Sequence, residues 1–170
     1  TKSGVAGLTN FTLDASFISN ALEEINGTNE NDVIYGTGSG DLIYAYNGDD
    51  TVRALAGPDV IYGGEGADTL IGGLGADTLY GDGGDDTLWG QSGNDTISTG
   101  VGTDIVSGSL GDDVITVDGV GNKVVYGGGG TDTLSIDLPG HTSLSDFSIT
   151  RPVIDGFLTE IVVLASKSSN

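Results

Sequence analysis

Between Gly27 and Val125 an aliphatic residue returns at every ninth position: Ile34, Ile43, Val52, Ile61, Leu70, Leu79, Leu88, Ile97, Val106 and Ile115. An aspartate stands two residues before each of them, giving Asp32, Asp41, Asp50, Asp59, Asp68, Asp77, Asp86, Asp95, Asp104 and Asp113. Glycines crowd the residues ahead of the aspartate, as in GGEGADTLI at 63–71, GGLGADTLY at 72–80 and GDGGDDTLW at 81–89. Each unit is numbered here so that the aspartate is position 6 and the aliphatic position 8. The eleventh unit carries Asn122 at position 6. One extra residue follows near Tyr126, and a twelfth unit, GGGGTDTLS, ends at Ser135 with Asp132 at position 6.

So short and constant a period predicts a solenoid. Positions 7 to 9 read as a short strand whose middle residue faces a core while its neighbours face out. The six preceding residues read as turn, with glycine at positions 1, 2 and 4 permitting positive φ. Two units make one coil, with one strand in each of two facing sheets. Stacked at about 4.8 Å, about six coils form a rod near 29 Å long. The expected fold is all-β.

Composition turns this outline into a question of stability. The chain has 170 residues, of which 31 are Gly, and its net charge is −20, from 25 acidic against 5 basic residues. Such a chain repels nucleic acid and anionic membranes and attracts cations. No apolar run approaches the ~18 residues of a membrane span. No Cys is present, which suits an extracellular protein built without disulfides. No Met is present either, which reads as an excised fragment or a processed product. One aliphatic stripe makes a thin core, and burial alone does not offset the ordering entropy of so many glycines.

In the stack, position 6 of one coil lies over position 6 of the next. One edge carries Asp32, Asp50, Asp68, Asp86, Asp104 and Asn122; the other carries Asp41, Asp59, Asp77, Asp95, Asp113 and Asp132. Like charges so arranged repel strongly when partly desolvated. Carboxylates beside inward-aimed backbone carbonyls match Ca²⁺, a hard cation with a flexible shell. Zinc prefers His or Cys, and the chain has one His and no Cys.

GGEGADTLI, GGLGADTLY and GDGGDDTLW resemble the RTX (hemolysin-type) calcium-binding repeat family over residues 27–135. The resemblance implies a right-handed parallel β-roll with Ca²⁺ between turns of successive coils. It implies that the position-6 aspartates are ligands, together with turn carbonyls. Those carbonyls belong to Gly63, Gly64, Glu65, Gly66, Gly72, Gly73, Leu74, Gly75, Gly81, Asp82, Gly83, Gly84, Gly90, Gln91, Ser92, Gly93, Gly100, Gly102, Gly108, Ser109, Leu110 and Gly111. Around one ion, Gly63, Glu65 and Asp68 would meet Asp82, Gly84 and Asp86. Glu30 and Ser39 replace Gly at position 4, Ala45 and Ala54 replace the first Gly, and Pro58 fills position 5. Early sites are therefore expected to be weaker, and the eleventh turn to bind poorly. Six turns on each edge allow ten gaps at most. About eight ions are expected, a charge that would also cancel the net −16 of 18 acidic and two basic residues in 27–135.

Residues 1–26 are expected to form an N-terminal cap, with Glu23 at position 6 and Ile25 at position 8; a helix over SFISNALEEI is the alternative. Residues 136–170 contain FSITRPVIDGFLTEIVVL, a β-hairpin signal. Phe147, Ile149, Phe157, Ile161 and Val163 would cap the last coil. His141 reads as a loop residue, and no nucleophile–base pair suggests an enzyme. The resemblance implies a structural module of a larger secreted protein, exported by a type I system. Tyr44, Tyr62 and Tyr80 align on one outer face, each two units from the next. They offer an alternative, a ligand-binding module for a polysaccharide or a cell-surface partner. Removing residues 136–170 should raise the Ca²⁺ needed for folding and blunt its cooperativity, because the first coil of an array is the hardest to order. Superimposable titrations of full and truncated chains, followed by circular dichroism, would show instead that 27–135 folds unaided.

Overall fold

The computed structural model describes residues 22–137 and the backbone of residues 161–164. One sheet runs in the order β1 (Glu23–Asn26), β3 (Asp41–Asn47), β5 (Val60–Glu65), β7 (Thr78–Gly83), β9 (Thr96–Ser98), β11 (Val114–Asp118) and β13 (Thr133–Asp137). The other contains β2 (Val33–Tyr35), β4 (Thr51–Ala56), β6 (Thr69–Leu74), β8 (Thr87–Ser92), β10 (Asp104–Leu110) and β12 (Lys123–Gly129), with β14 (Ile161–Leu164) beside β12. Pairings among the first thirteen strands are parallel and link each unit to the second one along, so that Leu70 lies between Val52 and Leu88. The result is a parallel β-roll of about six coils. Val162 of β14 lies antiparallel to Val125. No helix occurs among the described residues, and so none long and apolar enough to cross a membrane.

The position-8 aliphatics form the core. Ile43, Val52, Ile61, Leu70, Leu79, Leu88, Ile97 and Val106 are fully buried. At the N-terminal end Ile25 packs on this stripe and Glu23 pairs with Asp41, so Glu23–Asn26 is strand where the alternative reading had helix. The expected cap residues Phe147, Ile149 and Phe157, together with His141, lie outside the described residues.

Two expectations about the unit are corrected. The strands exceed three residues: β6 runs from Thr69 at position 7 into Leu74 at position 3 of the next unit, and the bend occupies positions 4 to 6. The inward alternation simply continues, from position 6 to 8 to 1, and Ala45, Ala54 and Val117 at position 1 join the core. Nor does glycine at position 1 serve positive φ. Its Cβ would enter the space of the turn's own carboxylate, falling on Asp77 Oδ2 at Gly72 and on Asp95 Oδ2 at Gly90. Positive φ belongs to positions 2 and 4 from the third unit onward. Tyr46, Leu55, Asp82, Gln91 and Ser109 adopt it at position 2 without being glycine, at about 1–2 kcal/mol each.

The eleventh unit is also re-registered. Thr116 pairs with Ser98, two full units back, but Lys123 pairs with Asp104, one position further back than two units. The extra residue is therefore Asp118, a bulge, and not a residue near Tyr126. Its carboxylate accepts hydrogen bonds from Gly100 N–H at 2.9 Å and Ser98 Oγ at 2.8 Å. Asn122 consequently moves to position 5, and Lys123 takes position 6. Val125, not Val124, is the buried aliphatic. The sequence misleads here because Asn122 stands two residues before one valine and Lys123 two before another.

Gly84→Ala should lower the unfolding midpoint by several degrees. Its φ is +127° and the new methyl would collide with Gly66 O of the preceding coil. Gly38→Ala has open space and no positive φ, so it should be neutral or stabilising by up to ~1 kcal/mol. Thermal melts of the two variants check the contrast.

Candidate metal centre

Each edge of the roll is a column of turns whose position-6 side chain points inward. Asp41, Asp50, Asp59, Asp68, Asp77, Asp86, Asp95, Asp104 and Asp113 are each at most 1% exposed. The two carboxylate oxygens have different partners. From Asp50 onward Oδ1 accepts the backbone N–H of the position-6 residue one coil earlier: Asp50 N–H to Asp68 at 2.8 Å, Asp68 N–H to Asp86 at 2.9 Å, and Asp77 N–H to Asp95 at 2.8 Å. These charge-assisted bonds set the coil spacing. Oδ2 points back into its own turn. In Asp50, Asp59, Asp68, Asp77, Asp86, Asp95 and Asp113 it is buried with no hydrogen-bond partner among the protein atoms. Leaving so many buried carboxylate oxygens unsatisfied is costly.

Backbone carbonyls converge on the same gaps. Those of positions 2 and 4 face the following coil: Val101 N–H donates to Asp82 O at 2.7 Å, and Gly66 O faces Gly84. Those of positions 1 and 3 face the preceding coil. Gly66 N–H donates to Gly83 O at 2.8 Å, and Gly81 O lies 2.9 Å from where a Cβ on Gly63 would stand, beside Asp68 Oδ2. Between Asp68 and Asp86 the facing carbonyls are thus those of Gly64 and Gly66 below and Gly81 and Gly83 above. The arrangement drawn from the resemblance, Gly63 and Glu65 against Asp82 and Gly84, has the two turns exchanged. Among the described residues no three acidic or histidine side chains converge on one point, so any ion here must draw on backbone oxygens.

One gap holds a cation supplied by the chain. Lys123 is 1% exposed, and its Nζ donates to Gly100 O at 2.7 Å, to Gly102 O at 2.8 Å and to Asp104 Oδ2. These oxygens belong to positions 2, 4 and 6 of one turn. The ammonium marks where positive charge sits in this architecture. The residues fit a hard cation.

The first two turns are built differently. Thr28 N–H and Oγ1 donate to Asp32 Oδ2 at 2.7 and 2.8 Å, and Thr37 N–H donates to Asp41 Oδ2 at 2.6 Å. A position-2 threonine thus satisfies the oxygen that later turns leave free. At the other end Asp132 is exposed, and its Oδ1 accepts from Asp113 N–H at 3.1 Å. A second ladder, unexpected from the repeat, runs at position 5, where Asp49, Asp85, Asn94 and Asp112 each accept the N–H of the position-5 residue one coil later. The tyrosine series is a stacked column: Tyr44 to Tyr62 at 5.0 Å and Tyr62 to Tyr80 at 4.7 Å, with rings within 9° of parallel.

Loss of hydration on burial raises the carboxyls of Asp50, Asp59, Asp86 and Asp95, against lowering by their N–H partners, and repulsion from neighbours along the column adds to the rise. Asp50 and Asp95 are pushed up to about 6, Asp59 and Asp86 to about 7. These groups bind protons more tightly in the roll than in the unfolded chain. Without divalent ions they favour the roll fully below the ordinary carboxylate range, near 4, and that support is lost as pH rises through 6 to 7. In chelator, circular dichroism should show more strand at pH 4.5 than at pH 8. A strand signal that grows with pH would contradict this.

The RTX calcium-binding nonapeptide repeat family matches the chain in four copies, over residues 26–61, 44–79, 80–115 and 117–135. No curated protein matches it. The matched stretches cover nearly all of the roll and more than half of the chain, and the chain belongs to the RTX calcium-binding nonapeptide repeat family.

Proposed function

We propose that this chain is a calcium-dependent structural module of a larger secreted protein, disordered where Ca²⁺ is scarce and folded outside the cell. The observation that carries this reading is the set of seven buried carboxylate oxygens without partners, each beside backbone carbonyls of two coils. One Ca²⁺ in a gap would be held by the carbonyls of positions 2 and 4 and the free Oδ2 of the earlier turn. The carbonyls of positions 1 and 3 of the later turn would complete its shell. Bound calcium supplies positive charge and replaces the hydrogen bonds that Oδ2 lacks; the turns supply a flexible, oxygen-only shell. Binding and folding then become one event.

Such a chain is suited to export in an extended state through a type I channel, because the ion that folds it is abundant only outside. The proposed organisation is an N-terminal cap over 1–26, the roll over 27–135 and a C-terminal cap over 136–170, with the parent protein's activity residing elsewhere. Binding of a polysaccharide or a cell-surface partner through Tyr44, Tyr62 and Tyr80 is the weaker reading. The ring faces that would stack on a sugar are stacked on one another.

In chelator at neutral pH the chain should lack strand signal, and millimolar Ca²⁺ should restore it while equal Mg²⁺ does much less. An unchanged β spectrum in chelator would sink the proposal. Asp86→Ala removes an unpartnered oxygen from a central gap and should raise the Ca²⁺ midpoint several-fold. Asp32→Ala removes one already held by Thr28 and should leave the midpoint nearly unchanged. Equal effects in the titration would argue that the free oxygens do not set affinity.

A further inference from the structure

The gap closed by Lys123 differs from its neighbours in one respect that the repeat pattern hides. Every other described turn from Asp32 onward carries aspartate at position 6. Here the bulge at Asp118 advances the register by one, which brings Lys123 opposite Asp104. Its aliphatic stem is buried in the roll and its ammonium reaches back across the gap to the earlier turn. There it takes the two carbonyls and the carboxylate oxygen that face each gap elsewhere. Asp104 Oδ2 is consequently absent from the unpartnered oxygens, although Asp95 and Asp113 on either side of it in sequence both contribute one.

We infer that Lys123 is a tethered replacement for calcium, and that the gap between the turns at 99–104 and 119–123 is closed to the ion. The inference rests on the calcium reading of the other gaps. A single lysine does two things at once here. It deletes the position-6 carboxylate of the later turn, and it puts a positive charge on the ligand oxygens of the earlier one. An ammonium donates only three hydrogen bonds, and the three oxygens it meets use all of them. A Ca²⁺ entering this gap would have to displace a buried ion pair and would find one carboxylate fewer. Of the ten gaps allowed by the repeat, this one is closed by a side chain and two more follow turns already satisfied by Thr28 and Thr37, which leaves the seven marked by unpartnered Oδ2 atoms.

The consequence is a weld between two coils that forms without calcium. It lies in the coil whose strand β12 is flanked by β10 on one side and the antiparallel β14 on the other. Units 99–107 and 117–126 can thus associate while the gaps with unpartnered carboxylate oxygens still wait for the ion. In a near-one-dimensional stack, a pair of coils joined in advance is a surface on which further coils add. The C-terminal end of the roll should therefore be the last part to melt when calcium is withdrawn.

The test counts ions on the full chain by native mass spectrometry in saturating Ca²⁺, for the wild type and for Lys123→Asp. The variant restores position 6 and should bind one ion more than the wild type, and its Ca²⁺ midpoint for folding should rise because the weld is gone. An equal count in the two proteins overturns the inference. A wild type that adopts the roll and binds no calcium overturns the reading of the other gaps instead. A second measurement needs no variant: amine acylation mapped by peptide mass spectrometry. Lys123 should be refractory in the calcium-loaded protein and labelled once the chain is unfolded. Labelling of Lys123 in the loaded protein at the rate of an exposed lysine overturns the inference, whether or not the variant folds.

Discussion

Half-satisfied carboxylates are the constraint on which this structure turns. From Asp50 to Asp113 each buried position-6 aspartate has one oxygen tied to the preceding coil through a backbone N–H, and in seven of them the other oxygen is left over. Coils stack at about 4.8 Å, so neighbouring charges at an effective dielectric constant of about 20 repel by roughly 3 kcal/mol per pair. The core offers little in return. Each unit buries one aliphatic side chain, worth about 1.5–3 kcal/mol, while ordering the backbone costs about 1–2 kcal/mol for every residue. A roll with these charges uncompensated is poorly stable, and the proposed calcium would offset them.

The same constraint explains the strained backbone. From the third unit onward, where the carbonyls of positions 2 and 4 face the gap, both residues take left-handed conformations. Tyr46, Leu55, Asp82, Gln91 and Ser109 do so without the freedom of glycine. Such strain persists where the surroundings hold the backbone in place, commonly at ligand clamps. The first two turns support this account by contrast. There Thr28 and Thr37 satisfy the carboxylate, and neither position 2 nor position 4 is left-handed. A turn that needs no cation also needs no special backbone.

The column therefore has ends as well as a middle. It opens on threonine-capped turns and, on one edge, closes on a lysine. Between them lie similar gaps, and each carboxylate from Asp50 to Asp113 links two coils. The outer faces carry little of this burden. The stacked tyrosines cover one sheet, and the position-5 ladder ties exposed turns together without touching the gaps.

Much of this was legible in the sequence. The period of nine set the solenoid, the two-residue offset from Asp to aliphatic set which side chains point inward, and the glycine-rich stretch set the turns. Local spacing carries that information because every unit repeats the same contacts. It does not carry the partner of each atom. Whether glycine at position 1 serves φ or makes room for a carboxylate depended on where that carboxylate lay. Which carbonyls face one another depended on the direction in which coils stack. Above all, the role of Lys123 was invisible. Read in units of nine it follows a degraded position 6; in the folded chain a single bulge at Asp118 moves it opposite Asp104. One residue of slip turns an ordinary surface charge into a buried counter-ion. Hydrogen bonds between successive coils, not the local pattern, decided which register the chain would take.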